Sequence, residues 1–121
     1  MKPSRPIYLD LLHIHQPLPA VISFLHRISG LLLFVSIPWL LTMFQASLSS
    51  AESFDAWKHS LGAKLALFLV LAAYAYHFYA GLRFLVLDLH WGTTLKSARL
   101  SARVVLGMTL LSCLLLGIWL W

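Results

Sequence analysis

Residues His59–Leu89, HSLGAKLALFLVLAAYAYHFYAGLRFLVLDL, read as one long apolar helix that places a histidine, an arginine and an aspartate at separate depths. A helix needs about 20 residues, at about 1.5 Å each, to cross roughly 30 Å of hydrocarbon, and this segment is long enough. Working outward, two further apolar stretches reach the same length, one from about Ala20 to Ser47 and one from about Ala102 to Trp121. The expected fold is therefore an all-α membrane protein of three transmembrane helices, one domain over residues 1–121, with 1–19 as an N-terminal segment outside the bilayer. His15-Gln16-Pro17-Leu18-Pro19 stops the first helix from extending upstream, because proline lacks an amide donor and fixes φ. Pro38 lies inside that helix, where a membrane helix tolerates the lost hydrogen bond with a kink. No internal repeat or low-complexity tract is present.

Composition agrees with a lipid environment: 60% of the 121 residues are hydrophobic and 11% are charged, too apolar for a soluble globule of this size. The formal charge of +5 has no basic run with interleaved aromatics behind it, so a nucleic-acid partner is not expected. Its distribution instead gives orientation, since Lys and Arg are retained on the cytoplasmic side. Lys2, Arg5, Arg27, Arg83, Lys96, Arg99 and Arg103 fall toward one face, and only Lys58 and Lys64, beside Glu52 and Asp55, fall toward the other. The N-terminus is expected in the cytoplasm and the C-terminus in the periplasm, with Trp119 and Trp121 as interfacial anchors. The single cysteine, Cys113, excludes a disulfide within the chain and a cysteine-held metal. Neither a cleavable leader nor an organellar presequence is recognisable after Lys2 and Arg5, and the chain is read as uncleaved and bacterial.

Two constellations carry chemistry. In Ser23-Phe24-Leu25-His26-Arg27-Ile28-Ser29-Gly30, Ser23 and Arg27 share a helical face with His26 beside them. A hydroxyl and a guanidinium together can hydrogen-bond a carbonyl oxygen and favour negative charge developing on it, which suits reduction of a quinone headgroup. The alternative is that Arg27 snorkels to a lipid phosphate. In the second helix, Ala73, His77 and Gly81 follow one another at four-residue spacing, so small residues flank the histidine and leave room for a flat ligand. His77 is either an axial donor to haem iron or a hydrogen-bonding group that joins two helices. Counting from the helix ends puts His77 roughly 16 Å and His26 roughly 7 Å below the interface, a separation too large for both to bind one iron. A haem on His77 would then have its propionates near His26 and Arg27, and its second ligand would come from another chain. Asp88 lies almost a whole number of turns beyond His77, at the edge of the same face, while Arg83 and Asp88 are badly placed to pair. His13, His15, His59 and His90 fall at the rim or outside, and Gly107, Thr109, Ser112, Cys113 and Gly117 on the third helix read as packing positions.

These residues resemble the cytochrome b membrane-anchor subunit of succinate dehydrogenase, respiratory complex II. Arg5-Pro6 with Leu9-Asp10-Leu11, the stretch Ser23–Gly30, and Ala75-Tyr76-His77 followed by Gly81, Arg83 and Asp88 carry the resemblance across nearly the whole chain. It implies one haem b shared with a second small membrane anchor, an iron–sulfur subunit, a flavoprotein that oxidises succinate, and ubiquinone as acceptor. It implies quinone binding by Ser23 and Arg27, iron ligation by His77, and a haem-propionate environment of His26, Arg27, Gly81 and Asp88. This chain would carry no succinate chemistry itself. Phe84 departs from the pattern, since relatives often have histidine after the arginine. A related alternative is the cytochrome of fumarate reductase or of another quinone-linked dehydrogenase. An alternative of another class is a haem-free anchor or small transporter subunit, in which the buried polar groups only hold helices together.

Overall fold

The computed structural model describes residues 16–121, so Lys2, Arg5, His13 and His15 lie outside the described residues. It consists of α1 (Leu18–Ser49), α2 (Ala51–His59), α3 (Leu61–Asp88) and α4 (Leu95–Leu120). Pro17 is the N-cap of α1 and Pro19 falls in its first turn, where the missing amide proton costs nothing. The helix runs on past Pro38 without a break. α1, α3 and α4 are each long and apolar enough to cross a membrane. Helix α3 lies between the other two and packs against both.

The short α2 is additional to the three expected helices. It is too short and too polar to meet a spanning criterion, and its signals are local ones. The Ser50 side chain accepts from the Ser53 amide, Glu52 occupies the first turn, and Lys58 and His59 the last, all favourable to a helix dipole. Trp57 meets Trp39 edge to face at 6.3 Å, and Ser53 Oγ donates to the Ala46 carbonyl at 2.9 Å, which folds α2 back on the end of α1.

The last helix also differs from expectation, starting at Leu95 rather than near Ala102, so Arg99 and Arg103 lie within it and not before it. Thr94 caps it by accepting from the Ser97 amide. Apolar span and helix are different things, and a helix readily continues into the headgroup zone. Between α3 and α4 the chain turns through a C-terminal motif in which the Trp91 amide donates to Val86 O (3.3 Å) and the His90 amide to Leu87 O (2.9 Å). His90 takes φ +62°, the left-handed position that glycine usually fills there.

The buried core is small: Ile22, Tyr76, Ala80, Ala102 and Val105 join α1, α3 and α4. Polar side chains fix the register. Tyr76 OH donates to the Ile22 carbonyl at 2.9 Å, and Tyr79 shares a hydroxyl contact with Ser112 at 2.9 Å. Arg83 is only 7% exposed, and its guanidinium donates to Ser101 Oγ (3.0 Å) and to the Ala98 carbonyl (3.3 Å) while lying 5.3 Å over the Phe84 ring. Satisfied in this way, it bolts α3 to α4 rather than pairing with Asp88. Of the packing positions expected on the last helix, Ser112 touches α3 and a Cβ on Gly117 would stand 3.9 Å from the Phe68 ring, whereas one on Gly107 would meet nothing within 4 Å.

No more than 17% of any spanning window is buried within the chain, and large apolar side chains such as Phe24, Phe34, Phe44 and Ile118 face outward. Surface of this kind has to be covered by lipid or by another membrane chain.

Candidate functional site

The site lies where α1 crosses α3. Ile22, His26 and Ser29 recur at helical spacing and turn one stripe of α1 toward α3. On the opposing helix Tyr76, His77, Ala80 and Phe84 do the same. The His26 and His77 rings lie in the gap, stacked with centroids 4.0 Å apart and planes 10° from parallel. The outer edge of His26 meets Phe84 at 5.2 Å.

Glycine makes the close approach possible on both sides. A Cβ on Gly81 would stand 3.5 Å from His26 Nε2, and one on Gly30 would stand 3.0 Å from His77 Cε1. Each imidazole therefore lies over the bare backbone of the other helix. His77 Nδ1 is 3.0 Å from Ser29 Oγ and 3.2 Å from the His26 carbonyl, while Ser29 Oγ also donates to that carbonyl at 2.8 Å. Among the described residues His77 Nε2 has no hydrogen-bond partner, and no three His, Cys, Asp or Glu side chains converge on a metal position. A metal held here would have to bring most of its own ligands.

Two expectations are corrected by this geometry. His26 and His77 bring their rings into contact although their Cα positions stand about four residues, roughly 6 Å, apart along the helices, closer than the expected separation. α1 begins at Leu18, which puts His26 about 12 Å along the helix axis, and the antiparallel register sets His26 against Gly81 and Gly30 against His77. The depth count assumed that each ring stays level with its own Cα, which a glycine opposite does not require. In the space beside Gly81, expected to admit a flat ligand, the His26 ring comes within 3.5 Å of where a Cβ would stand, and on α1 Gly30 forms the close floor against the His77 ring.

The remaining candidates are distributed around this pair. Ser23 is half-buried, and Arg27 is exposed one turn further along α1. Asp88 is exposed at the end of α3. No hydrogen bond or ion pair joins the side chain of Arg27 or Asp88 to another described residue, so the structure does not bring them together with the histidine pair. Ser29 and Gly30, at the end of the first constellation, and Tyr76, beside His77, are the participants to which the sequence assigns no role of their own. The spacing of Ser29 from Ile22 and His26 indicates its facing, but nothing local shows which helix it meets.

Overpacking tests this arrangement directly. Gly30→Val is expected to destabilise the chain by about 1–3 kcal/mol, because an added Cβ would already stand 3.0 Å from the His77 ring, which is held through Nδ1 by Ser29 and the His26 carbonyl. Gly107→Val, placed where nothing lies within 4 Å, should cost far less. Thermal unfolding of both variants in detergent checks this, and equal losses would mean that the close approach at Gly30 does not hold the helices.

Three apolar spans, with outward faces that need covering and a histidine pair enclosed between two of them, define a multi-pass membrane protein with an internal imidazole site. The chain belongs to the succinate dehydrogenase/fumarate reductase transmembrane subunit family, whose pattern its residues 1–116 match. It is also similar to the succinate dehydrogenase cytochrome b556 subunit of Coxiella burnetii, at 35% identity over 125 residues covering 100% of both chains.

Proposed function

We propose that this chain, acting over residues 1–121 as one transmembrane unit, is the haem-bearing anchor of a succinate:ubiquinone oxidoreductase. The observation that carries the proposal is His77: an imidazole between two helices long and apolar enough to span a membrane, tied down through Nδ1 and, among the described residues, left without a partner at Nε2. The b556 name of the similar Coxiella burnetii protein points the same way. A neutral imidazole nitrogen is a common axial donor to haem iron, and His77 Nε2 is the nitrogen that would hold it. Haem b supplies a one-electron relay inside the membrane when bound. A second small anchor subunit would supply the haem's other protein ligand, since His26 lies face to face with His77 and is not placed to share its iron.

This chain's own residues do three things in the proposal. His77 would hold the iron, and its two Nδ1 partners keep one ring orientation. His26 and Arg27, with Gly81 and Asp88 at the margin, form the polar environment for haem propionates, where charge-assisted hydrogen bonds anchor carboxylates. Ser23 and Arg27 hydrogen-bond a ubiquinone carbonyl and offset the negative charge that grows on it during reduction. The electrons come from an iron–sulfur subunit and, before it, a flavoprotein that oxidises succinate, a step in which this chain takes no part. The distribution of Lys and Arg supports a cytoplasmic N-terminus and a periplasmic C-terminus in a bacterial inner membrane.

Purification of the chain from its native membrane through a C-terminal tag tests the assignment. The proposal expects flavin- and iron-sulfur-containing partners and succinate-dependent ubiquinone reduction in the eluate. An intact chain that arrives with neither, from membranes that retain that activity, would remove it from the enzyme.

A further inference from the structure

The hydrogen-bond pattern around His77 contains more than an orientation. Ser29 has one hydroxyl proton, and its Oγ lies 2.8 Å from the His26 carbonyl and 3.0 Å from His77 Nδ1. A carbonyl only accepts, so the serine proton goes to the carbonyl and the serine oxygen is left to accept from Nδ1. The His26 carbonyl also lies 3.2 Å from Nδ1 and can only accept there too. Both contacts are satisfied at once by a proton on Nδ1. The opposite tautomer would set the Nδ1 lone pair against the carbonyl lone pairs, and Ser29 could then serve only one of its two partners. Gly30 makes the arrangement accessible, since a Cβ at that position would crowd Cε1 at 3.0 Å and Nδ1 at 3.5 Å.

We infer that Ser29 and the backbone carbonyl of His26 lock His77 as its Nδ1–H tautomer before any ligand arrives, so that Nε2 carries the bare lone pair. Ser29 is a positioning residue, acting on the cofactor only through His77. The lock is a property of the chain itself. Its consequence for haem rests on the function proposed above: an Nδ1–H that donates to two oxygens makes Nε2 a stronger donor and fixes the ring plane.

The test begins without haem. The full-length chain, labelled with 15N-histidine and held in detergent micelles, is studied by 15N NMR, with the His77 signals assigned by their loss in His77→Gln. The lock predicts a protonated Nδ1 and a bare Nε2. Ser29→Ala, which suits a helix, is expected to lower the Nδ1–H to Nε2–H ratio about fivefold, the worth of one ordinary hydrogen bond. Ser29→Thr keeps the hydroxyl and should restore the ratio. Predominance of the Nε2–H form in the unsubstituted chain, or an unchanged ratio in Ser29→Ala, would overturn the inference. In the assembled complex, Ser29→Ala should raise the haem midpoint potential and weaken haem retention about tenfold, since a weaker donor favours the reduced iron. A locked tautomer in a complete complex that carries no haem would leave the lock standing and remove the haem assignment.

Discussion

Arg27→Leu is expected to slow ubiquinone reduction about 100-fold while succinate oxidation with a soluble artificial acceptor stays close to normal. The magnitude is that of removing one hydrogen-bond donor from a site where negative charge grows on an oxygen. The selectivity follows from position. Arg27 is exposed on α1 and its side chain bonds to no other described residue, so its loss leaves the contacts that hold the helices, Tyr76 to Ile22 and Arg83 to Ser101, in place. Steady-state assays with each acceptor, on membranes with matched flavin content, separate the outcomes. Equal loss of both activities would show that Arg27 serves assembly and not the quinone.

The second large effect falls on His77. His77→Leu is expected to leave a folded, membrane-inserted chain from which haem is lost. Leucine is a good helix former, and Ser29 keeps its bond to the His26 carbonyl when the imidazole is gone, so no buried polar atom is stranded by the change. The only nitrogen this chain offers to iron in the proposed arrangement is gone with it. Haem per flavin in the purified complex measures the effect, with loss of most of the haem expected. Unchanged haem content would move the ligand away from His77, and the histidine pair would then serve to join α1 to α3.

How far the sequence discloses this protein depends on the range of the interactions that matter. The span of α3 is legible because a single helix in lipid must satisfy its own backbone, so apolar length alone marks it. The same reasoning fails for α2, which is held by a Ser50 cap and by Trp57 against Trp39, and for the first turns of α4, which follow the Thr94 cap into the polar zone. At the site, His26 and His77 stand out as histidines within apolar helices, but their stacking depends on a register between helices about 50 residues apart. Counting depth along each helix separately cannot supply that register. The glycines at 30 and 81 contain the missing information, since each removes a side chain where the opposite ring comes to lie. Gly81 is recognisable in the sequence as a small neighbour of His77, and the structure shows that it is the seat of His26. Ser29 belongs to the site for a reason visible only in three dimensions, the sharing of one carbonyl and one imidazole nitrogen between two helices.

The most direct measurement is the dithionite-reduced minus oxidised visible spectrum of the chain purified with the membrane and soluble partners that accompany it. A sharp b-type haem band, in stoichiometry with the chain and diminished in His77→Leu, is the predicted result. A complete complex that reduces ubiquinone with succinate yet shows no such band would contradict the central claim and leave an anchor whose histidine pair holds helices together.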